Sequence, residues 1–324
     1  MLTTMPFNVL ITGAGSIGAF YDSPSSDMVL THAHAFRKHE GFRLVGFVDV
    51  DARNAQKAVS LWGGAVFSSV EQAFRQEQID IVCVCVPDDH HYPVLKELCR
   101  YPLKMVFAEK PLAKTLGQAE EILRMYRDKN IPLAINYTRR FVPELETIKK
   151  HVEAGAYGKF VTGSGFYGKG LLHNGSHMID LVHYFLGDIL KSIVPISSVA
   201  DYYPDDKSIS AILQFHDTSS FVLNHVDCRL FTLFEMDLFF ERRRIRMTDL
   251  GFTLEEYDVQ DSEAFAGYRN IVKVRQGQTS LGNALYYAAE NIHEHLTNGA
   301  PLRCTVQDGY KALETCMKIR EQYE

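Results

Sequence analysis

An apolar stretch, Phe7-Asn8-Val9-Leu10-Ile11-Thr12, runs straight into Gly13-Ala14-Gly15-Ser16-Ile17-Gly18. No other segment restricts the fold as strongly. Glycines at this spacing, directly after a strand, permit a tight turn at Gly13, close backbone approach by a diphosphate at Gly15, and close packing of the following segment at Gly18. Ser16 and Ile17 then open a helix whose free N–H groups face an anion. A bare glycine pattern also occurs in ordinary strand-to-helix turns, so the next strand matters. Leu44-Val45-Gly46-Phe47-Val48 ends at Asp49, whose carboxylate is placed to accept hydrogen bonds from ribose hydroxyls and to repel a 2′-phosphate. The pair of features predicts a dinucleotide site that prefers NAD to NADP. One spacing is unusual: Gly18 and Asp49 are 31 positions apart, against ~20 in the common pattern. Tyr21-Asp22-Ser23-Pro24-Ser25-Ser26-Asp27 is rich in turn formers and reads as an inserted loop beside the phosphates.

Strand and helix signals alternate through the first part of the chain. Strands are expected at Val66-Phe67, Ile79–Val86, Met105–Ala108 and Leu133–Asn136, with helices near Ala55–Trp62, Ser69–Gln76 and Tyr92–Arg100. Thr115 and Gln118 resemble a capping box, followed by Ala119, Ile122, Leu123 and Tyr126 at helical spacing. Such alternation implies a parallel sheet with right-handed crossovers. After a helix near Glu144–Ala154, the pattern changes to several strands joined by turns, with one helix at Ser176–Leu186 and two closing helices. The expected fold is therefore an α/β Rossmann domain with a doubly wound parallel sheet over residues 1–136, then an α+β domain with a large, mainly antiparallel sheet over 137–324. Within the latter, Arg242-Arg243-Arg244-Ile245-Arg246 places alternate arginines on one strand face. A solvated face or a subunit contact is the expected role, with phosphate binding as the alternative.

A length of 324 residues is in keeping with two domains. A net charge of −6 without a long basic tract argues against a nucleic-acid partner. No run of ~20 apolar residues is available to span a membrane. Met1–Pro6 lacks the basic and apolar regions of a signal peptide. The six cysteines form no C-x-x-C pair, and Cys83 and Cys85 alternate with valines as small core residues, so a cytoplasmic location is expected.

Three clusters follow strands or open helices where chemistry is expected: Pro87-Asp88-Asp89-His90-His91, Glu109-Lys110-Pro111, and His173-Asn174-Gly175-Ser176-His177-Met178-Ile179-Asp180. With the glycine turn, Asp49 and Arg140-Phe141-Val142-Pro143, their order along the chain resembles the glucose–fructose oxidoreductase, inositol dehydrogenase and MocA (Gfo/Idh/MocA) family over nearly the whole length. The resemblance implies hydride transfer between a nicotinamide cofactor and a sugar or polyol carbon. It maps the lysine of the Glu-Lys-Pro element onto Lys110 and the histidine beside the substrate hydroxyl onto His177. It places Pro87, His91 and Glu109 with Lys110 around the cofactor, and implies a homodimer or homotetramer formed through the C-terminal sheet. Family members often carry aspartate four residues before that histidine; here the position is His173, which joins Lys110 and His177 as a catalytic candidate.

The chemistry is sound on its own terms. Oxidising an alcohol removes a hydroxyl proton while hydride leaves the same carbon. Imidazole titrates near neutrality, which suits His177 as proton acceptor, and Lys110 can polarise the oxygen as a charged donor. Glu109 positions Lys110, or is a charge at a strand end. Asp180, one helical turn after His177, orients it or serves as a helix-end acid. Asn136, Tyr137 and Arg140 follow the last parallel strand and are substrate candidates, with a structural salt bridge as the alternative for Arg140. Tyr167 and Lys169 sit on a glycine-rich stretch, Gly165–Gly170, and either reach substrate or are solvated. Asn174-Gly175 reads as a break before the helix, and no metal site is expected. Wording around the second cluster of histidines resembles members acting on surface-glycan sugars, so a nucleotide-linked or amino sugar is the expected substrate. The alternatives are a redox-neutral lyase or hydrolase using bound NAD transiently, and a non-catalytic sugar or NAD sensor.

Overall fold

Six apolar runs pair side by side as the first sheet: β1 (Phe7–Thr12), β2 (Phe42–Val48), β3 (Ala65–Phe67), β4 (Ile81–Val84), β5 (Met105–Glu109) and β6 (Leu133–Asn136). The structure is a computed structural model describing residues 5–188 and 190–324; Met1–Thr4, part of the segment read as lacking a signal peptide, lie outside the described residues. The strand order is β3-β2-β1-β4-β5-β6, with every pairing parallel. Strand order reverses between β1 and β4, and ligands of such sheets bind beyond the carboxyl ends at that point. The crossovers use α1 (His32–Lys38), α2 (Ala52–Trp62), α3 (Val70–Gln76), α4 (His91–Leu98) and α5 (Leu116–Lys129). Asp51, Ser69 and Thr115 cap α2, α3 and α5 by accepting from Arg53 N, Gln72 N and Gln118 N. The cysteines are free, and burial pushes the thiols of Cys83 and Cys85 up, as befits core residues.

The first crossover departs from the expected one. Ser16–Phe20 form a single wide helical turn, and the regular helix begins only at His32. Between them Asp22 ties the inserted loop shut. Its carboxylate accepts from Leu30 N at 2.6 Å, Thr31 Oγ1 at 2.5 Å and His34 Nδ1 at 2.8 Å. A chain that turns at Ser23-Pro24 cannot continue a helix from Gly18, because proline has no N–H to donate and clashes with the preceding turn.

The second sheet has eight strands: β7 (Phe160–Tyr167), β8 (Leu190–Tyr203), β9 (Asp206–Phe215), β10 (Ser220–His225), β11 (Glu235–Phe240), β12 (Arg243–Thr248), β13 (Thr253–Asp261) and β14 (Arg269–Gln278). Their order is β14-β13-β12-β11-β7-β10-β9-β8, antiparallel except between β7 and β10. Helices α6 (Pro143–Glu153) and α7 (Ser176–Leu186) belong with it. Within the arginine run, Arg244 pairs with Asp237 and Arg246 with Glu235 across β11 and β12, so these charges are matched within the sheet rather than offered to phosphate. Arg242 precedes the strand and donates to Gly155 O and Ala156 O.

The chain closes with α8 (Ala284–Asn298) and α9 (Val306–Tyr323). By compactness, residues up to Phe141 group with Gly282–Tyr310, and Val142–Leu281 with Lys311–Glu324. Residues 282–310 thus return to the first unit, unlike a simple division after residue 136. The cause is an apolar face: Ala284, Leu285, Ala288, Ala289 and Ile292 are buried, and Thr305 makes a bridge to Ala134 of β6. No helix of the described residues is long and apolar enough to cross a membrane.

Candidate active site

In the first unit, the three glycines do different jobs. A Cβ on Gly13, whose φ is +88°, would lie 2.5 Å from the Cys85 carbonyl group, and one on Gly18 would lie 2.1 Å from Gly13 O. Both are required by the chain's own packing. At Gly15 a Cβ would meet nothing within 4 Å. The backbone there faces open space, and Ser16 beside it is exposed while Ile17 is half-buried. Asp49 closes the other side: its Oδ2 accepts from Ala14 N at 2.7 Å and its Oδ1 from Asp51 N at 2.8 Å. An open glycine backbone beside an anchored carboxylate fits the diphosphate and ribose of a dinucleotide. The helix that would extend this anion site is one turn long, because of the insertion.

Glu109 ends β5 and Lys110 follows it, half-buried. Glu109 Oε1 accepts from His32 Nε2 at 2.9 Å and from Asn136 Nδ2 at 2.6 Å. Burial pushes this carboxyl up, but the bonds from His32 and Asn136 and the nearby Lys110 charge pull harder, leaving it below its ordinary value. Its ionised form therefore stabilises the fold. That contribution is complete above the unfolded carboxylate value of ~4.3 and is lost as pH falls through the lower folded value. Glu109→Gln is accordingly expected to lower Tm at neutral pH, with the gap from wild type closing on acidification below about pH 4. Parallel Tm–pH curves would show that Glu109 carries no such linkage.

Several expected site residues take other roles in this unit. His91 is fully buried, with Nδ1 2.6 Å from Pro111 O and Nε2 2.9 Å from Val86 O. It joins the loops after β4 and β5 rather than reaching a cofactor, because both ring nitrogens face backbone carbonyls. Pro87 stays exposed at the end of the β4 loop. Asn136 is buried and spent on Glu109, and Tyr137 is also buried, which corrects the expectation that they contact substrate directly. Arg140 is buried against Asp308, 2.9 Å away, so the salt-bridge alternative replaces its substrate role. His32 was not legible as a site residue. It lies beyond the inserted loop, its Nδ1 buried with no hydrogen-bond partner among the described residues.

In the second unit, β7 continues through Gly165 and Tyr167 instead of giving way to a loop at Gly165. Tyr167 is fully buried; its hydroxyl donates to Ile209 O at 2.8 Å and accepts from Ile209 N at 2.7 Å, and its ring lies beneath Gly175. The substrate role expected of Tyr167 is therefore corrected to a structural one. Tyr167→Phe is expected to cost about 1–3 kcal/mol of stability, since a buried amide loses its acceptor, with the sugar KM of the folded protein unchanged. A raised KM at unchanged stability would restore the substrate role.

Gly170–Gly175 wind as a wide helical turn that runs directly into α7, and Gly175 itself is helical at φ −57°, ψ −36°. Asn174-Gly175 is thus no break. His173, His177 and Asp180 lie on one continuous helical path, His173 and His177 half-buried and Asp180 buried. His173 Nδ1 is 2.7 Å from Asp206 Oδ2, and its ring stacks on Tyr203 with centroids 3.7 Å apart at 14°. Lys169 has left-handed backbone (φ 70°), and its Nζ lies 4.4 Å from the Tyr202 ring centroid. With Asn174, Tyr202, Cys228 and Thr232 it lines a cavity of about 120 Å³.

Strand order, glycine turn and anchored Asp49 define the first unit as a Rossmann unit of the dinucleotide-binding class. Residues 7–137 match the GFO_IDH_MocA family, an oxidoreductase family with an NAD-binding Rossmann fold. Over these residues the chain is similar to the Gfo/Idh/MocA oxidoreductases. It is 30% identical over 128 residues to inositol 2-dehydrogenase of Rubrobacter xylanophilus, a match covering 39% of this chain and 37% of that protein. The chain thus spans under two-fifths of that relative's length. Among solved structures, an oxidoreductase of Desulfitobacterium hafniense described as NADPH-dependent superposes with TM-score 0.81 at 17% identity, covering 97% of this chain and 94% of its own. UDP-N-acetylglucosamine 3-dehydrogenase GnnA of Acidithiobacillus ferrooxidans superposes with TM-score 0.78 at 17% identity, covering 98% of both chains. At these identities the likeness is one of fold.

Proposed function

We propose that this protein is an NAD-dependent dehydrogenase moving hydride between a sugar or polyol carbinol carbon and nicotinamide. The observation that carries this reading is the Glu109–Lys110 element at the carboxyl end of β5, braced by His32 and Asn136, in the sheet whose strand β1 leads into the open backbone at Gly15. NAD, when bound, supplies the hydride acceptor. Lys110 donates to the oxygen as negative charge develops on it, and His177 accepts the hydroxyl proton. Asp49 favours NAD, since a carboxylate beside the ribose repels a 2′-phosphate.

The substrate we infer is a nucleotide-linked or amino sugar. In support, a fold neighbour is a UDP-N-acetylglucosamine dehydrogenase, and Lys169 with the Tyr202 ring offers a cation and an aromatic face beside Asn174. Asp180, one helical turn after His177, orients its ring. Homo-oligomerisation through the C-terminal sheet belongs to the same proposal; β14 is exposed along its whole length, including Ile271, Val272 and Val274. A cytoplasmic setting is supported by the free cysteines.

The test is NADH formation across free and nucleotide sugars, repeated with NADP. Turnover of a sugar with net NADH release supports the reading. Sugar conversion without NADH release would replace it with a redox-neutral reaction, and tight NAD binding without any turnover would replace it with a sensor.

A further inference from the structure

The hairpin of β8 and β9 delivers two side chains to one imidazole. Tyr203 and Asp206 face each other across its tip. The Tyr203 ring covers the face of His173 at 3.7 Å, and Asp206 Oδ2 lies 2.7 Å from His173 Nδ1. Asp206 is almost completely buried, whereas the His173 side chain is one-quarter exposed. The carboxylate also accepts from Leu172 N at 3.0 Å and His173 N at 3.1 Å, so it holds the backbone that carries the ring. The chain makes room for it: a Cβ on Gly170, whose φ is +84°, would lie 2.2 Å from Asp206 Oδ2.

A carboxylate can only accept, so the proton it shares with a neutral His173 belongs on Nδ1, and the lone pair is left on Nε2. We propose that Asp206 is the positioning residue of His173, fixing it as the Nδ1–H tautomer so that Nε2 takes on the proton that His177, one helical turn further along, receives from the substrate. The inference rests on the dehydrogenase reading above. When the carbinol C–H bond breaks, hydride leaves to the oxidised nicotinamide and the O–H proton passes to His177; His173, held in this tautomer, takes that proton on from His177 at Nε2, Asp206 stabilises the imidazolium that results, and the proton leaves to solvent from the part-exposed ring. A histidine backed by a carboxylate thereby stands where the family resemblance places a single aspartate. Tyr203 holds the ring plane during the exchange.

The experiment combines a spectroscopic readout that needs no substrate with steady-state kinetics. Ligand-free protein labelled with 15N-histidine is examined by long-range 1H–15N correlation, and His173 is assigned by its loss in His173→Gln. The expected wild-type signal is a neutral Nδ1–H ring. Asp206→Asn keeps an oxygen to accept from Leu172 N but turns an amide donor toward the ring, which moves the proton to Nε2. Its kcat is expected to fall ~100-fold or more with the sugar KM within a few-fold. Asp206→Glu is expected to recover the tautomer and part of the turnover. An Nε2–H ring in wild type, or wild-type kcat in Asp206→Asn, would overturn the proposal; the first readout stands even if the asparagine variant does not fold. A correct wild-type tautomer in a protein that turns over no sugar would support the positioning of His173 and overturn the dehydrogenase reading instead.

Discussion

Lys110→Met and His177→Ala are each expected to lower sugar-dependent NADH formation by ~100-fold or more, the usual contribution of a group that moves or stabilises a proton in the transition state. Methionine keeps the length and apolar stem of lysine and removes the ammonium. The loss should therefore fall on kcat, with NAD affinity changed little, because in the proposed reaction Lys110 acts on the oxygen whose charge grows as hydride departs. Alanine at 177 removes the proposed proton acceptor and leaves α7 intact, since alanine is the best helix former. Both groups serve one event, so the double variant should lose less than the product of the two single losses. Steady-state kinetics on the sugar that wild type oxidises best decides the matter. Comparable turnover in wild type and both variants would refute these roles.

The second large effect separates two glycines of one turn. Gly18→Ala should destabilise the fold by about 2–4 kcal/mol, because its Cβ would stand 2.1 Å from a backbone oxygen that cannot swing aside. Gly15→Ala should leave stability within about 0.5 kcal/mol: φ there is −88°, open to any residue, and the methyl meets nothing of the protein. Its cost appears only when cofactor approaches. NAD affinity should fall ~10-fold or more, equivalent to about 1.4 kcal/mol. Thermal unfolding with and without NAD measures both quantities at once, since a ligand bound only to the folded state raises Tm according to its affinity. Wild-type NAD affinity in Gly15→Ala would remove the turn as the diphosphate cradle.

Much of the fold was readable from neighbouring residues. Leu133–Asn136 and Ser176–Leu186 form the elements their patterns predict, to the residue, since alternation and helical spacing are local consequences of backbone geometry. The glycine turn, Asp49 and the Glu-Lys-Pro element were legible for the same reason. Tyr167 misled, because glycines at 165, 168 and 170 suggest a loop when the strand runs through the first of them to Tyr167. Arg140 and His91 carried the right chemistry for a cleft, but a charged or polar side chain reads alike whether it meets a ligand or a buried partner.

The local order of residues sufficed for the parallel sheet, the dinucleotide turn and the candidate lysine and histidines, since each depends on groups a few positions apart. The partners that hold those groups were decided in three dimensions. His32 meets Glu109 across 77 positions and Asp206 meets His173 across 33. Neither pairing has a period or a motif. The first exists because an inserted loop shifts where α1 begins, and the second because the β8–β9 register brings a hairpin tip over a turn, so both follow from how distant segments pack rather than from what stands beside them in the chain.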